Sequence, residues 1–224
     1  HHAFEPPGLV GLRERYVVAH ELGRGTFGTV LSGTSLQTGR TVAIKRVSLL
    51  LRVEQVREEA SILRQVQHPH VVRLLDYLEE GRSVGYLVME HLPGGDLFTQ
   101  VVERYCIGPP SCSPKAGGRR AAGYSEKDVR EIIRMALSGL AAIHEHCIVH
   151  RDIKPENILL LDRRGGLLDL RIADFGTAHR MEPVEVWLGG AVARVGSQGV
   201  ARRVGTRGYM APEVLIGLPC GPTV

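Results

Sequence analysis

Residues 148–160 read IVHRDIKPENILL, a segment that crowds His150, Arg151, Asp152, Lys154, Glu156 and Asn157 inside an apolar frame. Asp152 and Lys154 stand two apart and Asn157 follows, in a turn-like stretch that Pro155 keeps from being a plain strand. A carboxylate to accept a hydroxyl proton, an ammonium to steady a departing phosphoryl group and an amide oxygen to hold a metal are the parts phosphoryl transfer requires. Taken alone, the stretch also reads as a loop capped by its own Asx hydrogen bonds.

Working outward, the strand-like LDLRIA leads into Asp174 of IADFGTA. An Asp before Phe-Gly is by itself a turn signal, but with Asn157 it supplies a second hard oxygen of the kind Mg²⁺ prefers beside substrate phosphates. Upstream, residues 23–30 read GRGTFGTV between two strand-like runs. Glycines there let backbone N–H groups approach a phosphate without Cβ obstruction, and they equally suit a tight hairpin. A dinucleotide-binding fingerprint would need a helix next, and a strand follows instead. Lys45 lies mid-strand in VAIKRV; it is either a snorkelling surface lysine or the partner of Glu59, which falls on the apolar stripe of the following helix and needs a cation there.

The chain has two styles. From Tyr16 to about Glu90, the runs YVVAHEL, GTVLSGT, TVAIKRV, VVRLLDYL and SVGYLVME predict an antiparallel sheet, interrupted by one helix from about Arg52 to Gln67 with Val53, Val56, Ala60, Leu63 and Val66 inward. Beyond Leu92 the pattern turns helical. Ser125 opens the clearest helix, with Asp128 as its capping-box acid and Val129, Ile132, Ile133, Ala136, Leu137, Leu140 and Ala141 as its apolar face. Two segments, Cys106 to Gly123 and Met181 to Val204, resist regular assignment and read as loop insertions.

Composition narrows the classes. At 224 residues with 43% hydrophobic and 23% charged side chains, the chain has ample length for a core. No apolar run approaches the roughly 18 residues of a membrane span, and the start carries no signal-peptide pattern, so a soluble cytoplasmic or nuclear protein without membrane partners is expected. The net charge is +4, but Lys and Arg are scattered, which argues against nucleic acid. Cys106, Cys112, Cys147 and Cys220 make no CxxC pair or metal-ligand spacing and read as reduced thiols.

GRGTFGTV, VAIK, HRDIKPEN, DFG and GTRGYMAPE stand in the order of the eukaryotic protein kinase signatures, and from Tyr16 to its end the chain resembles that family. The resemblance implies an α+β two-lobe fold with ATP between the lobes: an N-terminal extension over 1–15, an N-lobe of antiparallel sheet and one helix over 16–90, and a mainly helical partial C-lobe over 91–224. The latter would carry the 106–123 insertion and an activation segment over 174–213, long for the family. By the same resemblance Gly23, Gly25 and Gly28 would cover the phosphates, with Leu22, Val30, Ala43 and Leu159 lining the adenine site and Met89 at its back. Glu90 and Leu92 would offer backbone hydrogen bonds to the base, and Asp96 would lie near the ribose. Lys45, paired to Glu59, would hold the α- and β-phosphates; Asp152 would be the base, Lys154 would meet the γ-phosphate, and Asn157 and Asp174 would bind Mg²⁺. Leu63, Leu74, His150 and Phe175 resemble the internal column of active kinases, and equally read as core.

Lys154 and Thr206, whose hydroxyl would bridge Asp152 and Lys154, resemble the serine/threonine branch. LPGGDLF and KPEN look like the calcium/calmodulin-dependent and related basophilic kinases, in which Asp96 and Glu156 would attract Arg upstream of the target hydroxyl of a protein substrate; both also read as ordinary solvated acids. Arg151 resembles arginines that pair with an activation-loop phosphate, for which Ser197 in RVGSQG is the candidate hydroxyl. The family pattern would continue past APEVLIGLPCGPTV into an Asp and a long apolar helix, so the sequence reads as truncated after the APE motif, with Glu213 lacking its arginine partner and apolar surface uncovered beneath the Ser125 helix. Two functions stay open: an ATP- and Mg²⁺-dependent protein serine/threonine kinase, or a truncated nucleotide-binding scaffold or decoy regulator. Oligomeric state is not legible.

Overall fold

The computed structural model describes residues 11–25, 28–50, 52–105, 123–162, 169–188, 191–196 and 204–216. Ser197, Cys106, Cys112, Cys220 and nearly all of the 106–123 insertion lie outside them. The chain divides into two compact units, one formed by residues up to Gln67 with Val72–His91, the other by His68–Val71 with Leu92 onward.

The first unit begins with a single turn, α1 (Leu12–Arg15), and then a five-stranded antiparallel sheet: β1 (Tyr16–Gly25), β2 (Gly28–Ser35), β3 (Thr41–Ser48), β4 (Leu74–Glu80) and β5 (Val84–Glu90), in the order β1-β2-β3-β5-β4. Alternation decides its faces. Val42 and Ile44 of β3 point into a core shared with Leu12, Tyr16, Leu78, Tyr86 and Val88, while Lys45 and Val47 are buried on the other side. Between β3 and β4 runs α2 (Val53–Gln65), which buries Val56, Glu59, Ala60, Ile62 and Leu63. The sheet and the helix fall where the sequence pattern puts them; Val53 is only half-buried, and Ile62, beside the expected stripe, is fully covered.

The second unit is helical with short strand pairs: α3 (Leu97–Tyr105), α4 (Glu126–Glu145), β6 (Ile148–Val149), β7 (Ile158–Leu160), β8 (Leu170–Ile172), β9 (His179–Arg180), a hairpin of β10 (Pro183–Leu188) and β11 (Ala191–Gly196), and the turn α5 (Pro212–Leu215). β6 pairs with β9 and β7 with β8. Its core gathers Leu97, Ile132, Met135, Ile158, Leu160 and Leu170. α4 starts at Ser125, whose hydroxyl accepts from the Asp128 amide at 3.2 Å while the Asp128 carboxylate accepts from the Ser125 amide at 2.9 Å.

Two expectations are corrected. The stretch 181–204 is not irregular throughout, because 183–196 forms the β10–β11 hairpin, in which Val184 faces Val195 and Glu185 faces Arg194 in register; valines at alternate positions favour strand over loop. The inward face of α4 is Ile132, Met135, Gly139 and Ile143, whereas Val129, Ile133 and Leu137 are 45–59% exposed. Gly139 sets this phase: a Cβ there would press on the carbonyl oxygen of His70 and on Ile172, so the helix approaches that backbone more closely than a larger residue allows.

Candidate active site

In the first unit, direct cross-strand partners place the expected nucleotide-binding side chains on one face of the sheet. Val30 opposes Lys45 and Lys45 opposes Leu87 in one row; Ser32, Ala43 and Met89 form the next. Residues two apart on a strand share a face, so Val30, Ala43, Lys45 and Met89 lie together. Gly23 pairs with Val30 at the sheet's β1 side, and Leu22 beside it is exposed. An added Cβ on Gly23 or Gly25 would meet nothing within 4 Å among the described residues, so the space over these glycines is open. Gly28 differs: its φ is +153° and a Cβ would collide with the carbonyl oxygen of Arg46, so β2 can start there only with glycine.

Lys45 and Glu59 meet. The Lys45 Nζ donates to Glu59 Oε1 at 2.7 Å, with side chains 8% and 5% exposed, so the ammonium is held by a carboxylate away from water. Glu90, at the end of β5, has its amide on the Arg73 carbonyl at 3.1 Å and its Oε1 on the Arg73 amide at 2.8 Å; what it can offer a base is its carbonyl.

The second unit assembles Asp152, Lys154, Asn157 and Thr206 into one network. Pro155–Asn157 is a single 3-10 turn that folds Asn157 back, so its Nδ2 donates to the Asp152 carbonyl oxygen at 2.8 Å and to Asp152 Oδ2 at 3.1 Å. Lys154 Nζ lies 2.9 Å from Asp152 Oδ2 and donates to Thr206 Oγ1 at 2.7 Å. Thr206 in turn gives both its amide and its hydroxyl to Asp152 Oδ1, each at 2.8 Å. Burial alone pushes the Asp152 carboxyl up, but the hydrogen bonds from Lys154 and Thr206 with the Lys154 charge outweigh it and hold the carboxyl below its ordinary value.

Thr206 reaches Asp152 because Gly205 precedes it. Gly205 has φ +114° and lies so close to the Arg151 carbonyl oxygen that a Cβ would overlap it. Sequence reading passed over this glycine; its place directly before Thr206 in GTRGYMAPE was the available signal.

Arg151 and Asp174 both adopt the left-handed region, with φ of 65° and 58°, costly for non-glycine residues and typical of sites the surroundings over-determine. His150 fixes the backbone around them: its Nε2 lies 3.0 Å from the Ala173 carbonyl oxygen and its Nδ1 is 3.3 Å from the Asp152 amide. Those contacts set the tautomer with the proton on Nε2. Burial pulls the His150 ring below its ordinary value, so it stays neutral, and it packs edge-on to Phe175 at 4.8 Å between ring centres. Arg151 Nε donates to the Thr177 carbonyl at 2.7 Å, and Thr177 is itself buried with its hydroxyl on the His150 carbonyl at 3.0 Å.

The Ala173 amide donates to the Asn157 carbonyl oxygen at 2.8 Å, which brings Asp174 beside Asn157 along the chain path. Since Nδ2 of Asn157 is spent on Asp152, the amide oxygen Oδ1 is its remaining polar atom. An amide oxygen and a carboxylate are hard donors that suit Mg²⁺, so the residues present fit that ion. Among the described residues no three His, Cys, Asp or Glu side chains gather as a metal cluster.

Asp96 turns out to cap α3. Its Oδ1 accepts from the Thr99 amide and its Oδ2 from the Thr99 hydroxyl, each at 2.8 Å. It also bridges Leu159 in backbone pairing, and Leu92 is buried nearby in sequence. Glu156 contrasts with it, because Glu156 Oε2 is buried with no hydrogen-bond donor among the described residues.

The family model for the protein kinase domain matches residues 16–224. The chain belongs to the protein kinase domain family. Its curated relatives include the calcium/calmodulin-dependent protein kinase type II of Caenorhabditis elegans, 35% identical over 90% of this chain and 24% of that protein. A probable myosin light chain kinase of Dictyostelium discoideum is 34% identical over 90% of this chain and 50% of its own length. Calcium-dependent protein kinase 7 of Oryza sativa subsp. japonica is 34% identical over 91% of this chain and 33% of its own. The chain thus spans a quarter to a half of the length of these relatives. Among the described residues no helix is long and apolar enough to cross a membrane.

Proposed function

We propose that this kinase domain transfers the γ-phosphate of ATP to serine or threonine hydroxyls of protein substrates. The observation that carries the reading is the position of the Thr206 hydroxyl, which accepts from Lys154 and donates to Asp152. One hydroxyl orients base and cation together. Asp152, kept ionised by that network, accepts the substrate hydroxyl proton, and Lys154 offers its remaining donors to the γ-phosphate. Lys45, steadied by Glu59, takes the α- and β-phosphates beneath Gly23, Gly25 and Gly28; Leu22, Val30, Ala43, Met89 and Leu159 pack on the adenine, Glu90 and Leu92 bond it through the backbone, and Asp96 faces the ribose. Mg²⁺, when bound by Asn157 and Asp174, supplies electrostatic stabilisation of charge on the transferring phosphoryl.

A preference for Arg upstream of the target is assigned to Glu156 rather than Asp96, since both Asp96 oxygens already serve α3, whereas Glu156 Oε2 is buried without a donor among the described residues and would gain a charge-assisted bond if a small movement opened it to a guanidinium.

The test is radiolabel transfer from γ-labelled ATP to a peptide array, with wild type beside Asp152→Ala. Wild type is expected to label Ser and Thr peptides, best with an upstream Arg, and Asp152→Ala to lose transfer while still binding nucleotide. Nucleotide binding without transfer in wild type would favour the scaffold instead.

A further inference from the structure

Apolar contacts hold α2 on the sheet and choose its inward face, but burial is non-directional and leaves the helix room for small rolls. Something else must decide that Glu59 faces Lys45. The second charged contact of this helix is Arg57, whose Nε and Nη2 reach Glu79 Oε1 and Oε2 of β4 at 2.8 and 2.9 Å, a two-point fork of fixed geometry. Tyr77, 1% exposed, donates its hydroxyl to the same Glu79 Oε1 at 2.6 Å. Seven residues along the same helix face, the Arg64 guanidinium stands 6.0 Å from the centre of the Tyr77 ring. Glu79 opposes Gly85 on β5, and the space a side chain there would take is filled by Leu49 and Val47. The hydrogen bond to Arg57 first, and that from Tyr77, hold the Glu79 carboxyl below its ordinary value against the opposing effect of burial.

The register links this cluster to the catalytic lysine. Lys45 opposes Leu87 and Leu87 opposes Tyr77, so all three lie in one row across β3, β5 and β4. α2 is therefore tied to both ends of that row, at Lys45 through Glu59 and beside Tyr77 through Arg57, about 10 Å apart at the usual strand spacing. Residues 57 and 59 lie about 200° apart around a helix of 3.6 residues per turn, so no roll can free Glu59 from Lys45 without dragging Arg57 off Glu79.

We propose that Arg57, gripping Glu79 against Tyr77, is the positioning residue that sets the rotation of α2 and so presents Glu59 to Lys45. This rests on the reading of Lys45 as the phosphate ligand; its test does not depend on transfer. The experiment acetylates the whole chain, without nucleotide, using an N-hydroxysuccinimide acetate and quantifies each lysine by mass spectrometry. Lys154, part-buried in the other unit, reports global opening, the exposed Lys127 there calibrates the reagent, and Glu59→Gln sets the ceiling for a released Lys45. Arg57→Met is expected to raise the Lys45 rate at least about fivefold, the low end of coupling between two sites, with Lys154 and Lys127 unchanged. Arg57→Lys, which keeps the charge but not the fork, falls between wild type and Arg57→Met, and the isosteric Tyr77→Phe, which leaves the packing intact, gives a smaller rise of about twofold. An unchanged Lys45 rate in both Arg57→Met and Tyr77→Phe, or a rise matched by Lys154, overturns the proposal. If wild type failed to transfer phosphate yet Lys45 responded as stated, the assigned reaction would fall and the positioning role would stand.

Discussion

Thr206→Val removes one hydroxyl and little else, because valine keeps the branched shape. Two charge-assisted hydrogen bonds go with it, the 2.7 Å bond from Lys154 and the 2.8 Å bond to Asp152. Such bonds contribute about 1.5–3 kcal/mol each when well desolvated. Asp152 keeps the Thr206 amide at 2.8 Å and Lys154 at 2.9 Å, and Thr206 is only half-buried, so the loss for both together is about 2 kcal/mol. If that stabilisation is felt in the transition state, kcat/KM falls roughly thirtyfold at 1.36 kcal/mol per decade. The pH profile moves as well. The Thr206 hydroxyl helps hold the Asp152 carboxyl below its ordinary value, so its removal raises that carboxyl, and since the base must be ionised the acidic limb of kcat/KM shifts to higher pH. Thr206→Ser, which restores the hydroxyl, is expected to recover both rate and profile. Steady-state kinetics on one serine peptide between pH 5 and 9 measures all three proteins. Thr206→Val within twofold of wild type, with an unmoved acidic limb, would refute the reasoning that this hydroxyl orients the base.

Gly205→Ala forces an L residue to φ +114° against the Arg151 carbonyl, so it is expected to destabilise by about 1–3 kcal/mol and to slow transfer by withdrawing Thr206; a melting temperature and rate equal to wild type would contradict the close approach. Ser125→Ala breaks the α4 capping box and costs about 1 kcal/mol in denaturant unfolding, with transfer kinetics unchanged apart from the stability loss. Folding stability should decline as pH drops below about 6.5, because the unfolded chain protonates His150 there, along with His68, His91 and His144, while burial holds each of these rings below its ordinary value in the folded chain. The depressed carboxyls of Glu79 and Asp152 act with the same sign further down: their stabilisation is present above the ordinary carboxylate range and is lost as pH falls through their folded values. Denaturant midpoints from pH 8 to pH 4 check this, and His150→Phe should flatten the portion nearest 6.5.

Local signals carried most of the architecture. β3 was legible because Val42, Ile44, Lys45 and Val47 alternate across a sheet buried on both sides, and α4 because Ser125 and Asp128 cap each other within four residues. The rotation of α4 was not legible, since Val129, Ile132, Ile133, Met135, Ala136, Leu137, Leu140 and Ile143 spread over an arc of about 200°, wider than the face that is buried, so more than one phase looks apolar. Only the approach of Gly139 to the His70 backbone, a contact made far away in sequence, selects one. The 183–196 hairpin was lost for the opposite reason: its Gly and Pro content outweighed a short valine alternation in a reading that weighs punctuation first.

The candidate site divides along the same line of sequence distance. Asp152, Lys154 and Asn157 sit within one turn, so their residue types at that spacing state their chemistry directly. Glu59 could be paired with Lys45 because an inward carboxylate on an apolar helix stripe demands a cation and the preceding strand held a buried one. Thr206 and Gly205 lie about fifty residues from Asp152, and no periodicity or spacing connects them; resemblance to a family named the threonine, and the glycine beside it in the same motif shows its role once the geometry is seen. Arg57 and Glu79 escaped both routes. An arginine one residue outside a helix's apolar stripe reads as solvated, and a glutamate near the end of an edge strand reads as a gatekeeper, until the register shows Tyr77 in the same row as Lys45 and Glu79 two residues further on the same face. The groups proposed to perform chemistry were thus readable where they are local, while those that hold them in place were written in contacts between distant segments, which a single sequence leaves unmarked.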